Sequence, residues 1–258
     1  MVSESSEILV DRDDHALWVR LNRPEKMNTV TTEMANEIIS SLESVRDDRN
    51  VRVVIITGNG ANFSAGADIN QFADIDPGSA IEFHRKLNEV VLAFRSFPKP
   101  IIALLHGYAL GGGLEISESA DIRIATESCI LGQPEIDIGI NAGAGGNVVL
   151  PRIIGHGKAM FLALTGSKIP ASEAFEMGLV DMVVPDESAE TYVRDLVAKI
   201  AKKPYETISM IKSVMVSGSS MDVTAALEYE ASAFGYLLGT AETQERIRRF
   251  LDRRKREE

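Results

Sequence analysis

Gly107-Tyr108-Ala109-Leu110-Gly111-Gly112-Gly113-Leu114-Glu115 comes one residue after the apolar run Ile101-Ile102-Ala103-Leu104-Leu105. An uninterrupted apolar run of this length suits a strand covered on both faces. Three consecutive glycines then let backbone come close to backbone or ligand, and the segment beyond them reads as a helix carrying Glu115. Strand, glycine turn and helix therefore follow one another within fifteen or so residues, which is the grammar of a layered α/β domain.

The same grammar extends outward. Residues 16–21 read as a strand, closed by Asn22-Arg23-Pro24. Thr31 or Thr32 can cap a helix whose apolar stripe is Met34, Ile38, Leu42 and Val45. Residues 53–57 form a second buried strand, broken by Gly58-Asn59-Gly60, and a helix over 79–94 carries the stripe Phe83, Leu87, Val90, Val91, Phe94 before Pro98 and Pro100. Further strands are expected at 122–125, 130–131 and 180–184. Beyond residue 187 strand patterns vanish, and helices are expected over 189–201, 205–216, 221–238 and 241–254. The chain thus divides into an α/β core over residues 1–200 and a helical region over 201–258.

Composition narrows the functional classes. The 258 residues are 45% apolar and 25% charged, an ordinary globular balance. A net charge of −11 argues against a nucleic-acid surface, because phosphate binding needs a basic footprint. Basic residues do gather at the end of the chain (Arg246, Arg248, Arg249, Arg253, Arg254, Lys255, Arg256), as a solvated helix face or a local spot for an anionic ligand. No apolar run approaches the length of a membrane span, so no membrane partner is expected. Residues 1–7 are polar and acidic, without the basic start and apolar stretch of a secretory leader. The single cysteine, Cys129, allows no disulfide framework, which fits a reducing compartment and a cytoplasmic protein.

Two small-residue turns stand out chemically: Ser64-Ala65-Gly66-Ala67-Asp68, and the run ending at Gly113. Glycine and alanine allow a backbone N–H to reach a ligand, and a helix start adds free N–H groups and a positive dipole end. Two such N–H groups meeting on one oxygen would form an oxyanion hole. Taken singly, either turn is equally well read as a place where strand and helix pack closely. Glu115 lies about one helical turn from the second turn, and Glu135 follows Pro134 in Gly132-Gln133-Pro134-Glu135. A carboxyl that is partly buried has its pKa raised toward the range useful for proton transfer. Asp68 reads as a helix-start residue, and Glu118 and Asp121 as surface or structural groups. Dinucleotide, P-loop, nucleophile-elbow and zinc-protease motifs are absent. His15, His84, His106 and His156 show no ligand spacing, so no metal is expected, and Cys129 reads as a core residue.

On these motifs, together with Leu21-Asn22-Arg23-Pro24, Gly178-Leu179-Val180-Asp181 and the terminal Phe250, the chain resembles the enoyl-CoA hydratase/isomerase (crotonase) family over nearly its whole length. The resemblance implies a spiral of β-β-α units with C-terminal helices that join subunits into a homotrimer or a homohexamer. It places the thioester oxygen on the N–H groups of Ala67 and Gly112 and makes Glu115 and Glu135 the catalytic pair. Possession of both glutamates is similar to the hydratase pattern: reversible hydration of a short-chain 2-enoyl-CoA to the 3-hydroxyacyl-CoA. The alternative is an isomerase or another acyl-CoA enzyme on the same scaffold, for which one glutamate suffices. Contacts to the CoA moiety fall by the same likeness on Lys26, Ala65, Asp68 and Ile69, with Phe234 and Arg253 reaching a neighbouring subunit's ligand. Coenzyme A is then part of the substrate, and no separate cofactor is implied. Phe72, Ile75 and Phe94 are candidates for the acyl pocket. One loop departs from the family's Pro-Gly-x-Gly-Gly-Thr-Gln-Arg-Leu: here it is Ala142-Gly143-Ala144-Gly145-Gly146-Asn147-Val148-Val149-Leu150, so a polar network is expected to become an apolar contact.

Overall fold

The computed structural model describes residues 6–257, with all side chains except those of residues 71 and 255–257. Most of the polar start read above (residues 1–5) and the side chains of Lys255 and Arg256 in the basic run lie outside the described residues.

A six-stranded sheet forms the frame. Its strands are β1 (Ile8–Asp13), β2 (Ala16–Leu21), β3 (Val53–Gly58), β4 (Ile101–Leu105), β6 (Ile122–Thr126) and β9 (Met182–Val184), in the order β1-β2-β3-β4-β6-β9. The β1–β2 hairpin is antiparallel and every later neighbour is parallel. The continuous apolar runs have a direct cause. Leu17, Val19, Val54, Ile56, Ile101 and Ala103 face a core shared with α1 (Thr32–Ser44) and α2 (Pro77–Ser96). Their alternates Trp18, Val53, Ile55, Ile102, Leu104 and Ile124 face a second core with Val193 and Val197 of α7 (Ala189–Ala201). Successive strand side chains point to opposite faces, so in the middle of a sheet covered on both sides every position of these runs is apolar.

A second sheet of three short strands, β5 (Tyr108–Leu110), β7 (Ile130–Gly132) and β8 (Lys168–Pro170), lies beyond the ends of β4 and β6 in sequence. α3 (Gly112–Glu118) follows β5 immediately, and all seven of its residues are buried. α4 (Gly146–Ile154) packs on α3 and on α5 (His156–Thr165), and α6 (Ala171–Met177) packs on β7 and β8. α8 (Tyr205–Gly218), α9 (Val223–Leu238) and α10 (Ala241–Glu257) close the chain without strands, as expected. No described helix is long and apolar enough to cross a membrane.

Local readings hold at several ends. Thr31 is the N-cap of α1, its hydroxyl accepting from the Met34 N–H at 3.0 Å. Cys129 is fully buried in the core. Three expectations need correction. Of the two readings of Glu118, surface or structural, only the structural one survives, because the residue is 3% exposed. Phe94 is packed between sheet and helix in the main core rather than in a pocket. Of the two valines in the departing loop, Val149 is buried but Val148 is 59% exposed, so only one makes the apolar contact.

Candidate active site

The site is assembled by a stitch between three chain segments. The loop after β3 carries Ser64, whose N–H donates to the Tyr108 carbonyl at 2.9 Å and whose carbonyl accepts from the Leu110 N–H at 2.9 Å. The Gly111 N–H in turn donates to the Gly132 carbonyl at 3.0 Å. These bonds lock the turn at Gly66 against the turn at Gly111, and set both beside the end of β7, from which Gln133-Pro134-Glu135 departs. Ser64 is fully buried, and its hydroxyl donates to the Asn28 carbonyl at 2.7 Å. Gly66 and Gly111 adopt φ of +98° and +50°, a region where a side chain is strained.

The two turns touch. A Cβ built on Gly112 would lie 3.6 Å from the Ala67 nitrogen, and one built on Gly66 would lie 3.4 Å from the Gly112 nitrogen. Gly112 is the first residue of α3, where the helix itself offers its N–H no acceptor. Among the described residues the Ala67 N–H likewise donates to no backbone carbonyl. Two unspent donors therefore stand about a methyl group apart, at the positive end of a short helix.

Glu115 lies on the first turn of α3 and is 3% exposed. Its Oε1 accepts from the N–H groups of Ala144 (2.7 Å) and Gly146 (2.8 Å). Burial raises its pKa, and those two N–H groups oppose the rise by favouring the carboxylate. Glu135 sits in a 3-10 turn, Pro134–Ile138, entered through a proline that fixes the backbone at the turn's start. Its Oε1 lies 2.9 Å from where a Gly111 Cβ would be, and its Oε2 is buried with no partner. Burial, with the Glu115 charge as a lesser cause, pushes the Glu135 carboxyl up to about 7. Two backbone donors thus favour the ionised form of Glu115 against the burial that raises its pKa. Glu135 Oε2 has no such donor, and this carboxyl stands near the pH at which it can carry or release a proton.

Ala67, Gly112, Glu115 and Glu135 all line one cavity of about 260 Å³. It shares Ile69, Phe72, His84 and Asn141 with an adjoining, mostly apolar cavity of about 720 Å³ that extends past Ile75 and Ile81. Of the sequence-derived contacts, Ala65 and Ile69 line the smaller cavity, and Phe72 and Ile75 the larger. Lys26 and Asp68 form an ion pair at 3.9 Å, outside both linings. Asp68 also caps the short turn Ile69–Gln71, accepting from the Asn70 N–H, as a helix-start residue should. Phe234 on α9 is 67% exposed and Arg253 on α10 is exposed, and neither lines either cavity.

Sequence reasoning passed over His84, Gln133 and Asn141. His84 belongs to α2, far along the chain from either turn, and packs so tightly under Gly143 that a Cβ there would fall 2.3 Å from its Nδ1. Burial lowers its pKa, which keeps the ring neutral. Its position next to Phe83 in the apolar stripe was the one available signal, and it does not distinguish a pocket wall from core.

Comparison with known proteins bears on this geometry. The sequence profile of the family described as Enoyl-CoA hydratase/isomerase matches residues 12–257. A crotonyl-CoA hydratase of Syntrophomonas wolfei is 35% identical over 249 residues, 96% of each chain. A short-chain-enoyl-CoA hydratase of Clostridium acetobutylicum is 32% identical, covering 98% of this chain and 97% of the relative. Among solved structures, the crystal structure of enoyl-CoA hydratase from Thermoplasma volcanium superposes with a TM-score of 0.90 at 42% identity, over 96% of this chain and 99% of that one.

Proposed function

The chain belongs to the enoyl-CoA hydratase/isomerase family, and on that premise we propose that it is a hydro-lyase, catalysing the reversible syn hydration of short-chain 2-enoyl-CoA thioesters. The observation that carries the reading is the convergence of two unspent backbone donors and two unlike carboxyls on one cavity. Names of relatives point the same way, since they include a crotonyl-CoA hydratase and a short-chain-enoyl-CoA hydratase.

The steps follow from the charges. The thioester oxygen is held by the Ala67 and Gly112 N–H groups, which stabilise the negative charge that develops there as water adds. Glu115, ionised, orients the water and takes its proton as the oxygen bonds to Cβ. The electron pair of the C=C bond moves toward the thioester, and Glu135, protonated, delivers a proton to Cα. Dehydration runs the same steps backward, with Glu135 accepting and Glu115 donating. Coenzyme A enters as part of the substrate. Its contacts are proposed at Ala65 and Ile69 on the cavity wall and at the Lys26–Asp68 pair beyond it. Phe234 and Arg253 are proposed to serve a neighbouring subunit in a homotrimer or a dimer of trimers. A cytoplasmic location accords with the lone, buried Cys129.

A panel of 2-enoyl-CoA esters of graded length tests this reading, with products identified by mass. Addition of one water to the short linear esters is expected. Migration of the double bond without added oxygen would turn the assignment to an isomerase.

A further inference from the structure

The buried helix α3 holds another carboxyl for which the hydration steps have no task. Glu118 lies three residues beyond Glu115 and is as deeply buried, at 3% exposure. Its Oε1 accepts from the Gln133 amide Nε2 at 3.1 Å. Its Oε2 and the Gln133 Oε1 are both buried and have no hydrogen-bond partner. If Glu118 were ionised, both oxygens would be acceptors without donors, a costly arrangement away from water. A single proton on Glu118 Oε2 would remove the charge and supply a donor of the kind that Gln133 Oε1 lacks.

The three cations of that region with assigned partners are not spent on Glu118. Glu118 borders a cavity of about 740 Å³ together with Arg95 of α2, Arg123 of β6, Asp121 just before it, Arg152 of α4, Lys203, and Lys212 of α8. The Arg123 guanidinium is spent on the carbonyls of Leu179 and Ala120 and on Asp181. Lys212 is spent on the carbonyls of Phe94 and Lys99 and on Asp121. Arg152 donates to the Val148 carbonyl. Among the described residues no cation forms an ion pair with Glu118. Burial, reinforced by the charges of Glu115 and Glu135, raises the Glu118 pKa well above the ordinary carboxyl range, and Gln133 and Arg123 oppose this without reversing it.

Gln133 also reaches the catalytic side. A Cβ built on Gly146 would lie 2.7 Å from Gln133 Nε2 and 3.1 Å from Glu115 Oε1. The amide is therefore wedged between Glu118 and the backbone segment whose N–H groups hold Glu115. We propose that Glu118 is a positioning residue kept as a neutral carboxylic acid, closing with the Gln133 amide a two-bond ring that steadies the 144–146 backbone under Glu115.

The test uses the full chain labelled with carbon-13 at the glutamate carboxyls, followed by infrared or NMR titration. One glutamate is expected to keep its carboxylic-acid signal above the pH, about 7, at which Glu135 titrates, and Glu118→Gln is expected to abolish that signal. In kinetics, Glu118→Gln preserves the ring as an amide pair and leaves the acid limb of kcat/KM in place. Glu118→Ala breaks the ring and lowers kcat by up to about 10²-fold, the scale of a displaced catalytic group. Three results would overturn the proposal: every glutamate ionised above that pH, an acid signal that survives in Glu118→Gln, or an acid limb that moves to lower pH in that variant. The last would mean that an ionised Glu118 had been raising the Glu115 pKa. Should Glu118→Gln fail to fold, Glu118→Ala is titrated in its place: loss of the acid signal supports the proposal and its survival overturns it. The kinetic arm rests on the hydration reading and the spectroscopic arm does not, so the two can fail separately.

Discussion

Two glutamates of the same chemical type, both raised by burial, differ in the backbone donors that meet them. The Ala144 and Gly146 N–H groups meet Glu115, while Glu135 Oε2 has no donor. This sets the sign of the pH dependence. Hydration needs Glu135 protonated, and its carboxyl sits near 7, so kcat/KM for hydration is expected to fall as pH rises through about 7. Hydration takes up no net proton, so its equilibrium constant does not vary with pH, and kcat/KM for dehydration, which uses the same pair with its one proton on Glu115, is expected to fall in parallel. A pair of pH profiles, one per direction, checks this. The donors can be probed as well. A methyl group on Gly112 would meet only ordinary contacts, 3.6 Å from the Ala67 nitrogen and 3.8 Å from Glu115 Oε2. Gly112→Ala should therefore fold normally and yet place its methyl where the thioester oxygen belongs, lowering kcat by about 10²-fold or more. Steady-state kinetics beside a thermal melt separates the two effects.

At the level of elements, the neighbouring glycine has a structural task instead. A Cβ on Gly113 would fall 2.6 Å from the Ser64 Cβ and 2.8 Å from its carbonyl oxygen. That contact is where α3 docks on the loop from β3, so Gly113→Ala is expected to cost at least ~1–3 kcal/mol of stability, read from the urea midpoint. The contrast between these two glycines could not be seen in the sequence, where they are adjacent and identical. Elements with a long, one-sided or two-sided apolar pattern were legible: β2, β3, β4, α1, α2, and the four helices after residue 187. β5 was not, because Tyr108–Leu110 becomes a strand only by pairing with β7. Residues 146–177 were not either. α4 contains Pro151 and ends at Gly155, α5 has apolar residues on most sides, and no cap marks their starts. At the site, both turns and both glutamates could be picked out from local chemistry, with the family likeness supplying their pairing. Glu118 could not be, since its burial comes from three segments that only the fold brings together.

For the whole molecule, the C-terminal helices leave a surface that one chain does not use. Leu227, Phe234 and Phe250 are 58%, 67% and 62% exposed, apolar surface that the proposed assembly would cover. The proposed assembly gives a solution mass three or six times that of the chain by light scattering, and Phe234→Glu is expected to lower it. The central claim is that Glu115 and Glu135 add water across a thioester held by Ala67 and Gly112, and Glu135→Gln tests it most directly. Turnover of crotonyl-CoA and the affinity for a 3-hydroxyacyl-CoA should be measured on the same preparation. The expected result is a loss of about 10²- to 10⁴-fold in kcat, the usual share of a general acid, with binding changed only a few-fold. Turnover close to that of the unsubstituted protein would contradict the account.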